Sequence, residues 1–232
     1  MGFLRFLGGL VTGFLQYLGE VTLLFGQVFE SLVKGKIRWR LVLQQVVEIG
    51  HRSQPVVMVT GAFTGAVLAA QSLFQFSTLN METGAGALVS VAMLRELGPT
   101  ITALMLAGRV GASMAAEIGT MQVTEQVDAL RSMGVHPVDY LVTPRLLAML
   151  LAMPLLIGES AAFGIIASVL VGTGPFNVNP AYWMDQMGKY TDLSDVAIAL
   201  IKGLAFGLLI VGISCHQGMR ASSIASKRGV TR

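Results

Sequence analysis

The chain has 232 residues, of which 53% are hydrophobic and only 12% are charged. Soluble domains carry about 25% charged residues, so the composition excludes an ordinary soluble enzyme and a disordered chain. The single cysteine excludes an internal disulfide framework. We expect one all-α, polytopic membrane domain over residues 1–232, and we interpret its net charge of +3 as a topology signal rather than as nucleic-acid binding.

The N-terminal segment has the pattern of an amphipathic helix. Apolar residues recur every three or four positions from Phe3 to Leu32, which is the period of one helix face. A basic run from Lys34 to Arg40 follows. We expect residues 1–50 to form a helix that lies in the membrane interface, followed by a basic linker.

Four apolar stretches follow, each close to or above the roughly 20 residues that a spanning helix needs. Lysines and arginines concentrate in the N-terminal segment, in the loop between the second and third stretches, and in the C-terminal tail. Because cytoplasmic segments carry the excess of basic residues, these three parts are expected to face the cytoplasm. The expected spans are residues 51–79, 84–115, 146–171 and 196–217.

Small residues at a spacing of four predict close helix packing in two spans. The pairs are Gly61 with Gly65 and Gly203 with Gly207, and such pairs let helix backbones approach each other in lipid. The end of the first span mixes amides and hydroxyls with bulky apolar side chains. That mixture suits an amphiphile with a polar head, but it is also typical of a helix that reaches the membrane interface.

Charged residues inside the spans are functional candidates, because an ionisable group in lipid is costly. Arg95 and Glu96 are adjacent, so they point in different directions on a helix and each needs a partner elsewhere. Pro99 is expected to kink the helix just after them. The pair is interpreted as a structural clamp between helices, as the mouth of a substrate cavity, or as part of a proton or ion relay. Glu159 and Lys202 lie inside the third and fourth spans and could neutralise each other across the bundle.

Residues 117–145 are expected to form a cytoplasmic segment that contains a short amphipathic helix. Thr124 is the expected N-cap and Gly134 the expected end. Such a helix is suited to a groove on a soluble partner. The alternative is a helix on lipid head groups, which the acids Glu125 and Asp128 disfavour because the cytoplasmic leaflet is negative.

Catalysis within this chain is not expected. The sequence contains no phosphate-binding G-x-x-x-x-G-K-[ST] loop, and no G-x-S-x-G or H-E-x-x-H motif. We therefore expect neither a metal nor a cofactor in this chain.

The block from Leu94 to Val135, LRELGPTITALMLAGRVGASMAAEIGTMQVTEQVDALRSMGV, is followed by P-x-x-Y-L-V-x-P-R. With G-x-F-x-G-x-V-L-x-x-Q from Gly61 to Gln71 and the G-V-T-R ending, it resembles the MlaE/YrbE permease family over nearly the whole chain. Members of that family are membrane subunits of ABC transporters that move lipids together with MCE proteins. They typically continue past G-V-T-R into a fifth span, which this sequence does not contain.

The resemblance implies an inner-membrane homodimer with a cytoplasmic N terminus. Each subunit binds a cytoplasmic ATPase that uses ATP and Mg²⁺, and a ring of MCE domains lies on the periplasmic face. Phospholipid is held in an outward-facing cavity at the dimer interface and moves between inner and outer membranes.

The resemblance also assigns roles to residues of this chain. Arg95 and Glu96 match the intramembrane charged pair of the family. The residues that match its cavity lining are Leu68, Gln71, Ser72, Gln75, Phe76 and Leu79. The candidates for contact with the ATPase are Glu117, Glu125, Asp128 and Arg131.

Two other functions are kept as alternatives. An ion-coupled secondary transporter or channel would use the intramembrane charges Arg95, Glu96, Glu159 and Lys202 as its relay. A structural scaffold for the MCE ring would need none of them for transport.

Overall fold

The computed structural model describes residues 2–34, 37–77 and 84–221. All regular secondary structure in these ranges is helical, which confirms the predicted all-α fold. The α-helices in chain order are α1 (Gly2–Val33), α2 (Trp39–Val46), α3 (Gln54–Ser77), α4 (Ala85–Ala92), α5 (Gly98–Leu106), α6 (Ala112–Val123), α7 (Gln126–Ser132), α8 (Thr143–Thr173), α9 (Pro180–Tyr190) and α10 (Leu193–Met219).

Within the described ranges, four wider, π-helical stretches separate some of these helices. They are Val47–His51, Met93–Leu97, Ala107–Gly111 and Val138–Val142. A π-helical turn accommodates an extra residue within a helix and is frequent at functional sites. The second stretch contains both members of the charged pair predicted from the sequence.

Five helical segments in the described part of the chain are long and apolar enough to cross a membrane. They are Gly8–Val33, Trp39–Ser77, Ala85–Val123, Val138–Thr173 and Leu193–Met219. The last four contain or overlap the four predicted spans. The first coincides with the predicted interfacial helix, so an interfacial position for it stays a prediction.

Part of the predicted basic linker is helical, because α2 (Trp39–Val46) continues into the π-helical stretch Val47–His51. The apolar helical segment Trp39–Ser77 therefore begins before residue 51, where the first span was predicted to start.

The predicted small-residue seam is present between α3 and α8. A Cβ atom on Gly61 would clash with the backbone of Ser160, and one on Gly65 would clash with the backbone of Gly164. Gly61 and Gly65 are four positions apart on α3, as are Ser160 and Gly164 on α8, so the two members of each pair lie on one face of their helix. The absence of side chains at these positions is what allows the two backbones to touch.

The described residues group into two compact units. The first draws on Met1–Gln45, Arg109–Leu147 and Leu209–Arg232, and the second on Val46–Gly108 and Ala148–Leu208. In the first unit α1 is attached to the end of α10. There Phe25 fills the space above Gly212, and Glu20 Oε2 lies 2.8 Å from Nε2 of the buried His216.

The second unit contains a cluster of buried residues from α3, α4, the π-helical stretch Met93–Leu97 and α9. Leu73, Val89, Met93, Trp183 and Met187 are its largest buried members. This cluster fixes α9 against the spans and determines which of its faces stays open.

Candidate functional site

Ion pairs to α10 hold the charged π-helical stretch Met93–Leu97. Nε of Arg95 donates a hydrogen bond to Oδ1 of Asp195, whose side chain is fully buried. The backbone N–H of Asp192 donates to the other oxygen, Oδ2, at 3.1 Å. Nζ of Lys202 lies 2.6 Å from Oε1 of Glu96. Each member of the pair thus has its own partner, as their different directions on the helix predict.

Pro99 explains a second contact of the same lysine. In an α-helix the N–H of residue 99 would donate to the carbonyl oxygen of Arg95, but proline has no N–H. Nζ of Lys202 donates to that carbonyl oxygen instead, at 2.8 Å. One ammonium therefore neutralises Glu96 and supplies the hydrogen bond that the proline removes.

The predicted pairing of Glu159 with Lys202 is wrong. Nζ of Lys202 donates hydrogen bonds to the Glu96 carboxylate and to the carbonyl oxygen of Arg95 instead. Glu159 is half-buried on α8.

A cleft of about 730 Å³ opens beside Arg95 in the second unit. Its volume lies in the range of small-molecule sites, about 300–1,000 Å³. One wall is apolar and the other carries hydroxyl and amide groups, and Arg95 is its one charged lining residue in the described ranges. The lining residues are Phe76, Gly84, Ala87, Leu88, Val91, Arg95, Tyr182, Gln186 and Tyr190.

The residues predicted to line a lipid cavity are only partly brought to this cleft. Phe76 lines it, whereas Leu68 packs against the buried cluster of the second unit. Ser72 is buried and its hydroxyl donates to the carbonyl oxygen of Ala69 at 3.0 Å, so it is used within its own helix. Gln71 and Gln75 are exposed on α3.

Leu79, the last predicted lining residue, lies outside the described residues. The alternation of amides and apolar groups along α3 indicated an amphiphile-binding surface, but it did not indicate which helix face would be covered by other helices.

Sequence reasoning did not predict α9, which supplies one wall of the cleft. Two signals for this helix were present. Oδ1 of Asn179 accepts the N–H of Ala181 at 3.0 Å as an N-cap, and Pro180 occupies the first helical turn. Trp183 and Met187, one turn apart, form its buried face.

The short helix predicted in the cytoplasmic segment is present as α7, but its N-cap is not Thr124. The hydroxyl of Thr124 donates backwards, to the carbonyl oxygen of Thr120 at 2.9 Å. Glu125 is the N-cap residue, with a φ of 59° in the left-handed region and no side-chain capping bond. The helix ends before Gly134, which has a φ of +71°, as the sequence predicts.

The four candidates for contact with an ATPase differ in their surroundings. Glu125, Asp128 and Arg131 are exposed, and Nη1 of Arg131 lies 2.9 Å from Oδ1 of Asp128. Glu117 instead pairs within the unit, with Oε2 at 2.7 Å from Nη2 of the buried Arg145. Glu117 is exposed as well, by 57% of its side chain, and differs from the other three in that its partner Arg145 is buried.

The sequence matches the family model described as Permease MlaE over residues 42–231. It is 40% identical over 205 residues to a probable ABC transporter permease protein of Rickettsia typhi, which covers 88% of this chain and 79% of that protein. A probable ABC transporter permease protein of Synechocystis sp. is 37% identical over 214 residues, or 92% of this chain and 81% of its own length.

A plant protein is similar as well. The chloroplastic protein TRIGALACTOSYLDIACYLGLYCEROL 1 of Arabidopsis thaliana is 37% identical over 210 residues, which cover 90% of this chain and 60% of that protein. These matches agree with the long apolar helices of the structure, which are those of a membrane protein. The chain is an ABC transporter permease of the MlaE family, a membrane component that does not itself catalyse a reaction.

Proposed function

We propose that this permease moves phospholipid between the inner and outer membranes by way of the cleft beside Arg95. The observation that carries the proposal is the composition of that cleft. Phe76, Leu88 and Val91 give it apolar surface, and the Arg95 side chain, 45% exposed, adds a guanidinium group. A phosphodiester between acyl chains and a polar head matches this combination, because guanidinium groups bind phosphate oxygens through charge-assisted hydrogen bonds.

One relative supports a lipid substrate. The Arabidopsis protein carries the name of a diacylglycerol lipid in its own name. We extend this to the present chain as a substrate class, with a glycerol-based lipid as the cargo.

The proposed assembly is a homodimer in the inner membrane of a bacterium, with the N terminus in the cytoplasm. A separate ATPase, which binds ATP and Mg²⁺, docks on the cytoplasmic side, and an MCE ring exchanges lipid with the permease on the other side. Membership in an ABC permease family supports the ATPase, since these permeases depend on a separate subunit for hydrolysis. The exposed acids of α7 support its docking site.

Transport requires an element with two arrangements that both the ATPase and the lipid can bias. The break between Arg95 and Pro99 is our candidate for this element. The carbonyl oxygen of Arg95 accepts its hydrogen bond from the Lys202 side chain rather than from a backbone N–H of the helix. Because this bond comes from a side chain, it can break and re-form without unwinding a helix turn.

A cleft-filling substitution tests the lipid site. Leu88→Trp places an indole in the cleft, and we expect the detergent-purified complex to lose most of its copurified phospholipid. Leu104→Trp is the matched control, because Leu104 is an exposed leucine of α5 outside the lining. Native mass spectrometry reports bound lipid and copurified ATPase together. Equal lipid content in the two variants would contradict the cleft as the lipid site.

A charge reversal tests the docking role of α7. We expect Glu125→Lys to reduce lipid-stimulated ATP hydrolysis by about tenfold, which corresponds to the loss of one charged contact of about 1.4 kcal/mol. Glu125→Asn is the matched variant, because asparagine tolerates the left-handed conformation of this position. A loss in both variants assigns the effect to the carboxylate, and normal coupling in Glu125→Lys would refute the assignment.

A further inference from the structure

The helix α9 has no assigned role, although it forms one wall of the cleft. Its buried side is fixed by Trp183, whose indole fills the space that side chains on Gly86 and Gly172 would occupy. Tyr182 and Gln186 lie one turn apart on the side that lines the cleft. Because the tryptophan sets the rotation of the helix, the polar wall is presented at a fixed angle.

The polar groups of this wall are donors and acceptors without charge. Nε2 of Gln186 donates to the hydroxyl oxygen of Tyr182 at 3.0 Å. The hydroxyl proton of Tyr182 and the amide oxygen of Gln186 are then directed to other partners. Tyr190, 61% exposed, adds a second phenol one turn further along the helix.

Charges on the rest of α9 are balanced away from the cleft. Nζ of Lys189 lies 2.6 Å from Oδ2 of Asp185, and this hydrogen bond raises the pKa of the Lys189 ammonium. Neither residue lines the cleft. In the part of the chain that the structure describes, the cleft therefore has one positive lining group, Arg95, and no carboxylate.

We propose that α9 selects the lipid by hydrogen bonds to its head group, and that the cleft prefers an anionic, hydroxyl-bearing head group such as that of phosphatidylglycerol. This inference rests on the proposed function. A phosphodiester is paired by the guanidinium of Arg95, and a glycerol head group is hydrogen-bonded by Tyr182 and Gln186. The ammonium of phosphatidylethanolamine would instead meet no carboxylate among the described lining residues and would be repelled by the arginine.

The experiment is a competition between two lipids with the same acyl chains. The detergent-purified complex is incubated with equimolar phosphatidylglycerol and phosphatidylethanolamine, and native mass spectrometry measures the ratio of the bound lipids. We expect phosphatidylglycerol to exceed phosphatidylethanolamine by about threefold or more, which corresponds to one hydrogen bond of ordinary strength.

Gln186→Glu places a carboxylate in the wall. This carboxylate repels the phosphodiester and pairs with an ammonium, so the ratio is expected to fall below one. Met184→Glu is the matched control, because Met184 is an exposed residue of the same helix that does not line the cleft. Its ratio is expected to stay at the wild-type value. Tyr182→Phe, which removes only a hydroxyl, is expected to lower the ratio by a smaller factor and guards against misfolding of the acidic variant.

The outcomes separate this inference from the proposed function. If phospholipid binds with a ratio near one in the wild type, or if Gln186→Glu and Met184→Glu behave alike, head-group selection by α9 is refuted while a lipid cleft remains. If no phospholipid binds, the proposed function fails. Displacement of lipid by millimolar inorganic phosphate would indicate a site for soluble phosphate and would also overturn the inference.

Discussion

Two arginine–carboxylate pairs, one in each compact unit, have opposite burial. In the second unit the acid Asp195 is fully buried, whereas the Arg95 side chain is 45% exposed. In the first unit Arg145 is only 4% exposed, whereas the Glu117 side chain is 57% exposed. The buried member anchors each pair and the exposed member faces the surroundings. The second unit thus presents a cation, which suits a phosphate, and the first unit presents an anion.

The largest expected effect comes from leaving the buried arginine without its acid. Glu117→Gln removes the charge that compensates the buried Arg145, and leaving a buried charge without its partner costs up to about 3 kcal/mol. The free energy of unfolding in a mild detergent measures this cost. The double variant Glu117→Gln with Arg145→Met is expected to recover most of the loss, since no buried charge is then left over. A single variant as stable as the wild type would show that Arg145 does not need the pair.

The exposed cation of the second unit is expected to have an intermediate effect, on binding. The double variant Arg95→Gln with Asp195→Asn removes the guanidinium without leaving the buried Asp195 carboxylate unpaired. It should reduce bound phospholipid by about tenfold, which corresponds to a charge-assisted hydrogen bond of about 1.5 kcal/mol. Arg95→Lys keeps the charge but loses the planar donor pair, so a smaller reduction is expected. Lipid content by mass spectrometry distinguishes the two, and unchanged binding in the double variant would mean that this arginine serves only Asp195.

The smallest loss in the free energy of unfolding is expected for an ion pair whose two side chains are both exposed. The side chains of Arg131 and Asp128 are 61% and 57% exposed, and such pairs contribute about 0.2–1 kcal/mol. Asp128→Asn should therefore change the free energy of unfolding by no more than this. A cost as large as that of Glu117→Gln would show that burial does not explain the difference between the pairs.

Local patterns in the sequence predicted most of the helical framework. Long apolar stretches are a strong signal because every backbone group in lipid must be bonded within a helix. The glycines at positions 61 and 65 predicted a close backbone approach, since no other residue permits it there. Arg95 and Glu96 were recognised as a special site because charges are rare in a span.

The partners of these residues were not predictable in the same way. Asp195 and Lys202 lie about a hundred positions along the chain from their partners, and a single sequence contains no signal for such pairing. The choice of Glu96 over Glu159 by Lys202 depends on how the helices are rotated. The helix α9 is short and amphipathic rather than apolar, so a search for spans does not detect it.

The seating of α9 also has a spectroscopic consequence. The chain contains only two tryptophans: Trp39 is 61% exposed, whereas Trp183 is enclosed beside two glycines. Replacing Trp39 by phenylalanine would leave Trp183 as the sole indole fluorophore. The wavelength of its emission would then report, in real time, whether Trp183 stays buried while a lipid binds and is released.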